Sequence, residues 1–267
     1  GDILYVDYEN DLSAGENWSD TLFTWTIAGE PIRTVEHCEL NASRTSCTNV
    51  KLKTTEYYDG FYRLKKTLSQ DFVGGSANKY QRFTYNFRNQ PVFTSQVSSN
   101  SLENKGTTVV YDSLGRMASQ STSGLGTVYE DYIGENTKRV TDALGNETTT
   151  SYRAFGSPSY SQALTIQSPE NVTTDLDYDL YGNVLEITQS GLGKNNQAVS
   201  QTEYRTYDPV TKMLCLTVRA DVGATAFSYN LMGDIQWQAQ GVSYNANTRA
   251  CIAKPADKAV TMQYDNL

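Results

Sequence analysis

Residues 111–117 read YDSLGRM: a Tyr-Asp pair, a glycine three residues after the aspartate, and an apolar side chain two residues after the glycine. The arrangement recurs. Residues 178–184 read YDLYGNV and residues 229–235 read YNLMGDI. Aligning on the tyrosine places further units at Tyr58, Tyr85, Tyr132, Tyr152, Tyr207 and Tyr264, with spacings of 20 to 35 residues, and TDALGNE (141–147) is a copy without its tyrosine. A chain that repeats one short pattern is a stack of similar units, each too small to bury its apolar face alone.

The physics of the pattern is local. Asp or Asn at the first position of a type I turn accepts hydrogen bonds from the backbone just ahead of it. Three residues later the chain leaves the turn with positive φ, which glycine permits and asparagine tolerates. Gly115, Gly145, Gly156, Gly182 and Gly233 fill that place, with Asn89 and Asn136 as substitutes; Tyr62 and Thr211 are poor ones, so the turns after Tyr58 and Tyr207 should differ. The candidate repeat-turn residues are Tyr58 and Asp59, Tyr111 with Asp112 and Gly115, Asp142 and Gly145, and Tyr152 and Gly156. Tyr178 with Asp179 and Gly182, Tyr207 and Asp208, and Tyr229 with Asn230 and Gly233 complete them. A three-to-five-residue hairpin connection fits this spacing.

The flanks read as strands. The residue two before the tyrosine is apolar at Phe83, Val109, Leu176, Phe227 and Met262, on the tyrosine's own face, while Asp175 and Asp177 take the opposite one. Each unit is thus a hairpin, and hairpins must pair edge to edge, which aligns successive tyrosines into a stacked aromatic band. The expected fold is all-β: consecutive β-hairpin YD repeats forming one long curved antiparallel sheet. The repeats occupy 58–267, cut short where YDNL (264–267) opens another unit. Residues 1–57, with Trp18, Trp25 and the single histidine, form a divergent N-terminal β segment or cap over an exposed edge.

With 267 residues the chain can bury a real core, and a formal charge of −8 argues against a nucleic-acid partner. No window approaches the ~20 apolar residues of a membrane span. Cys38 and Cys47 flank the polar ELNASRTS and are candidates for a local disulfide; Cys215, in MLCLTV, reads as a small apolar strand residue, and Cys251 has no informative context.

Motifs that carry chemistry are weak. His37 stands alone, so no multi-imidazole catalytic or metal cluster can form, and neither G-x-S-x-G nor C-x-x-C occurs. SGLGKNN (190–196) fails as a phosphate loop, with Thr188 and Asn195 at two required places. Asp175, Asp177 and Asp179 begin like a calcium loop, but Leu180 stands where glycine is needed, and Asp179 already has a turn role. No catalytic residue, metal or cofactor is assigned. Tyr5, Tyr8, Tyr57, Tyr62, Tyr80, Tyr129, Tyr160, Tyr181, Tyr204 and Tyr244 lie outside the repeat positions and are the candidates for a binding surface.

YDSLGRM, YDLYGNV and TKRVTDALGNETTTSYRAFGSP (137–158) resemble the YD repeats of the RHS family, over roughly 55–267. That family includes bacterial polymorphic toxins, the B/C shell of insecticidal toxin complexes and the teneurins. The resemblance implies a hairpin sheet spiralling into a hollow shell that, in the bacterial members, encloses a toxic C-terminal domain. YDPVT (207–211) lacks the glycine of the family's DPxG closing motif, so no self-cleaving residues carry over. The function implied is that of a non-enzymatic structural segment of a shell around a toxin or other cargo. Its partners would be the rest of the parent chain, the enclosed cargo, and glycans or a delivery protein. It would be secreted or at the cell surface, within a larger bacterial protein. The alternative is a carbohydrate-binding or cell-adhesion module that uses exposed aromatics.

Overall fold

A computed structural model describes residues 4–7, 20–27, 29–155 and 159–264. Trp18, Gly156 and Asp265 lie outside them. The chain is all-β, and among the described residues the helical structure is one short 3-10 turn at Lys194–Asn196. It divides into two compact units, 1–129 and 130–267. Residues 20–57 therefore fall in the same unit as the first repeats.

The first unit contains β1 (Tyr5–Val6), β2 (Asp20–Thr26), β3 (Ile32–Leu40), β4 (Cys47–Tyr58) and β5 (Leu64–Asp71). It continues with β6 (Lys79–Tyr85), β7 (Pro91–Ser95), β8 (Gly106–Tyr111), β9 (Met117–Thr122) and the start of β10 (Gly126–Ile133). Each strand pairs antiparallel with the next in sequence. The second unit contains β11 (Thr137–Thr141), β12 (Glu147–Tyr152), β13 (Ala163–Gln167), β14 (Thr173–Tyr178) and β15 (Val184–Leu192). After these come β16 (Ala198–Tyr207), β17 (Leu214–Arg219), β18 (Gly223–Tyr229), β19 (Ile235–Gln240) and β20 (Ala259–Thr261), again paired in order.

Thr, Val, Tyr and Ser dominate the strands, and period-two alternation puts neighbours on opposite faces. Both faces are often half-buried: every residue of β5 and of β11 is so. Isolated residues such as Leu22, Cys38 and Ser95 are buried in the first unit, and a contiguous buried cluster lies in the second. There Cys215, Leu216, Val218, Ala224, Ala226, Trp237 and Ala239 form a buried cluster with Val242, beneath the irregular segment 241–258.

The cysteines correct one sequence expectation. Cys38 and Cys47 are bonded across β3 and β4, and Cys215 is bonded to Cys251 rather than serving only as an apolar strand residue. The reason is positional. The 241–258 segment returns over β17, so residues 36 apart in sequence meet with Cα atoms 5.4 Å apart.

Candidate functional site: the clasped turn edge

The repeat turns share one construction. At the 111–117 turn, Asp112 N–H donates to Arg116 O (2.8 Å) and Gly115 N–H donates back to Asp112 O (3.0 Å). Asp112 Oδ1 accepts from the N–H groups of Leu114 (2.9 Å) and Arg116 (2.8 Å), and Gly115 has φ +84°. The same double acceptance occurs at Asn86, Asp142, Asp179 and Asn230. Asn89, Gly145, Gly182 and Gly233 carry the positive φ in those turns. An Asx-turn satisfies backbone donors that a tight reversal leaves open.

Leaving the turn, Tyr111 lies opposite Met117, Tyr178 opposite Val184 and Tyr229 opposite Ile235, each across a β-bulge. The apolar residue two after the glycine is therefore the tyrosine's cross-strand partner.

Not every turn follows expectation, although the Asp208 turn differs from the rest as Thr211 implied. The Asp59 turn has the common geometry after all, because Tyr62 itself adopts φ 59° and Asp59 Oδ1 accepts from Phe61 and Arg63. The Asp208 turn is one residue longer, with Lys212 at φ 62° and closure from Asp208 N–H to Met213 O. After Tyr132 the positive φ falls on Gly134, not Asn136; Asn136 instead exchanges hydrogen bonds with the backbone of Tyr152. The Tyr152 unit also opens into a longer connection, closed by Arg153 N–H to Gln162 O.

A clasp not read from the sequence completes the turns that share this construction. The residue four after the Asp or Asn bonds its other side-chain atom: Arg63 to Asp59, Arg116 to Asp112, Asn146 to Asp142 and Asn183 to Asp179, at 2.7–2.9 Å. Where the first residue is Asn230 the polarity reverses, and its amide donates to Asp234 (3.0 Å). The signal was present as Arg, Asn or Asp four residues after the Asp or Asn that opens the turn.

Adjacent turns are also tied sideways. In the first unit, Arg63 Nη1 donates to Asn86 O and Asn89 Oδ1, Arg88 Nη1 to Ser113 O (2.7 Å) and Gln90 Nε2 to Gly115 O (2.6 Å). In the second, Lys212 Nζ stands 4.6 Å over the Tyr181 ring. The tips between these ties are apolar and exposed: Phe61, Phe87 and Leu114 in the first unit, Leu144, Tyr181, Val210 and Met232 in the second.

The tyrosines do not form the stacked band expected of them. Five of their hydroxyls instead donate to the backbone oxygen opposite the preceding unit's tyrosine: Tyr85 to Leu64 O (2.8 Å), Tyr111 to Pro91 O (2.9 Å), Tyr178 to Ala163 O (2.7 Å), Tyr207 to Val184 O (3.1 Å) and Tyr264 to Ile235 O (3.1 Å). Tyr58 and Tyr132 donate to Glu56 and Glu130 on their own strands. Successive repeat tyrosines are two strands apart, about 9–10 Å at ~4.8 Å per strand, too far for ring contact. Replacing Tyr85, Tyr111, Tyr178 or Tyr207 with phenylalanine should each cost about 0.5–1.5 kcal/mol, read by urea denaturation.

The other tyrosines divide by environment. Tyr62, Tyr129 and Tyr181 are exposed. Tyr160 packs edge-on against Tyr132 and Tyr152, with ring centroids 5.2 and 5.4 Å away, and Tyr204 packs on the buried cluster. Tyr8 lies outside the described residues. His37 Nδ1 lies 3.1 Å from Thr21 Oγ1 between paired strands. Among the described residues no group of three or more His, Cys, Asp or Glu is placed to hold a metal ion, and no helix is long and apolar enough to cross a membrane.

Turn construction sets the electrostatics. The Arg63 guanidinium holds the Asp59 carboxyl below its usual range, the Asn146 amide does so for Asp142, and the Thr211 N–H for Asp208. At Asp112 and Asp179 desolvation pulls the other way, and the hydrogen bonds from Arg116 and Asn183 overcome it. Burial raises the phenols of Tyr58, Tyr85, Tyr178 and Tyr229. A depressed carboxyl stabilises the fold above its unfolded pKa and loses that contribution as pH falls through the folded one; a raised phenol stabilises below its unfolded pKa and loses it as pH rises. Thermal stability should therefore fall off below about pH 4 and again above about pH 10. Asp142→Asn should flatten the acid limb in a pH series of melting curves.

No protein-family profile matches the chain, and no curated protein does. Among solved structures it is similar to TcdB2-TccC3-TEV, at 13% identity and TM-score 0.49, over 84% of this chain and 13% of that one. It is similar to the Photorhabdus luminescens Tc holotoxin pore at 13% identity and TM-score 0.48, over 83% and 13% of the two chains. For TcdB2-TccC3-Cdc42 the values are 12%, 0.46, 94% and 18%. The chain thus spans less than a fifth of the length of these solved chains.

Proposed function

We propose that the chain is a wall segment of an RHS/YD-repeat shell, with a mechanical and non-catalytic role, that encloses or presents a toxin or other cargo carried by the same parent polypeptide. The observation that carries this reading is the sideways tie. Five repeats bond to the preceding one through a tyrosine hydroxyl (Tyr85, Tyr111, Tyr178, Tyr207 and Tyr264), and in the first unit turn side chains add further ties, so the interactions of these hairpins are completed by a neighbour. Such quasi-one-dimensional stacking suits a wall that grows by repetition. The exposed apolar tips offer contact to the remainder of the parent chain, which is read as a secreted or cell-surface bacterial protein.

Limited proteolysis of the whole parent polypeptide tests the proposal. The cargo portion should stay uncut while the repeats are folded and be degraded once they are opened by denaturant. Cargo cut equally fast in the native protein would refute enclosure.

A further inference from the structure

We propose that the Cys215–Cys251 disulfide is a redox latch that holds the segment 241–258 as a strap over the buried face of β16–β19. This inference is independent of the shell reading.

The strap has little else to hold it. It runs from the end of β19 to the start of β20 without strand structure. Its direct backbone ties to the sheet are Val242 N–H to Ala224 O (3.2 Å) and Thr206 Oγ1 to Arg249 O (2.7 Å). The Arg249 guanidinium also lies 3.3 Å from the Tyr204 ring centroid. Lys254 Nζ donates to Thr261 Oγ1 on β20 (2.5 Å), at an exposed position, and the rest of the attachment is apolar: Val242, Cys251 and Ile252 pack on the cluster that contains Leu216, Val218 and Trp237. A segment with few hydrogen bonds into a sheet is the part of a fold that opens locally at least cost.

The disulfide is placed to be reached. A cleft of about 150 Å³ is lined by both Cys215 and Cys251, along with Met213, Trp237 and Ile252. A small dithiol can enter there. One of its thiolates attacks a sulfur of the pair, forming a mixed disulfide and expelling the other cysteine as a thiolate; its second thiol then resolves the mixed disulfide. The protein gains two electrons and two protons as two cysteine thiols, and the dithiol leaves as its own disulfide. The reduced state also has a ready partner, because the Cys215 sulfur lies 3.2 Å from Thr206 O and its new S–H can donate there.

The other disulfide cannot act this way. Cys38 and Cys47 are 9 residues apart on paired strands, and Leu40 is already in register with Cys47, so reduction leaves β3 and β4 hydrogen-bonded. Only the 36-residue link connects a strand to a segment outside the regular pairing.

Trypsin digestion followed by mass spectrometry tests the latch on the full chain, with and without dithiothreitol. In the oxidised protein, cuts after Arg249 and Lys258 should be slow; Lys254 precedes Pro255 and is not a tryptic site. After reduction they should accelerate roughly tenfold or more, because cleavage follows the population of the opened segment. Arg205 and Arg219, in the strands beneath, should keep their rate. A Cys38→Ser/Cys47→Ser variant should show the same dithiol response, which assigns it to the second disulfide. Complete reduction, verified by alkylation, with unchanged rates in the strap would overturn the proposal. Equal acceleration at Arg205 and Arg219 would overturn it too, since the strap would then open only with the whole unit.

Discussion

Replacing Leu216 with alanine is expected to lower the stability of the second unit by about 2–5 kcal/mol. Leu216 has no exposed surface and sits on β17 with Thr206 on one side and Ala226 on the other. Its neighbours in the cluster, Ala224, Ala226 and Ala239, are too small to fill the space a leucine leaves. The strap is pinned above by its disulfide, which limits collapse from that side. The cost should therefore lie in the upper part of the range, where residual cavity volume adds to lost transfer energy. Urea denaturation monitored by the fluorescence of Trp237, in the same cluster, measures it. Leu231→Ala is the control: that side chain is fully exposed at a turn tip, and the change should stay within about 0.5 kcal/mol. Similar values for the two variants would mean that the cluster is not a packed core.

Gly106→Ala should be the most damaging single-methyl change in the first unit. Gly106 is buried at the start of β8, directly opposite Ser95. A Cβ there would come within 2.6 Å of Ser95 Cα and closer still to Thr94 O, both main-chain atoms that cannot swing aside. Ser95 is itself held, with its hydroxyl accepting from Arg82 N–H (2.9 Å) and donating to Gln96 O (2.9 Å). Gly106 N–H in turn donates to Ser123 Oγ (3.0 Å). Overpacking against fixed backbone costs about 1–3 kcal/mol or more. Gly60→Ala provides the contrast, because nothing lies within 4 Å of its Cβ position and its φ is not positive. A thermal melt should show a clear drop for the first variant and almost none for the second.

The local code was legible. Asp or Asn followed three residues later by Gly or Asn marks the turns at Asn86, Asp112, Asp142, Asp179 and Asn230, because an Asx-turn is built from atoms within five consecutive residues. Tyr62 shows the limit of that reading. The clasp from Arg63 and the bond to Phe61 hold Asp59 in place, and a tyrosine accepts positive φ where propensity alone argues against it. The Asn136 assignment failed for a related reason: Gly134, two residues earlier, takes the left-handed position more easily.

From its order of residues alone this chain declares hairpins, their turns and their all-β class, since each of those rests on contacts a few residues long. Folding was needed to show that Cys215 finds Cys251, that tyrosines such as Tyr111 reach a neighbouring backbone oxygen instead of the next repeat's ring, and that Gly106 leaves no room for a methyl group. Those facts join residues 11 to 36 positions apart, and such distances close only when strands pair and the strap returns over them.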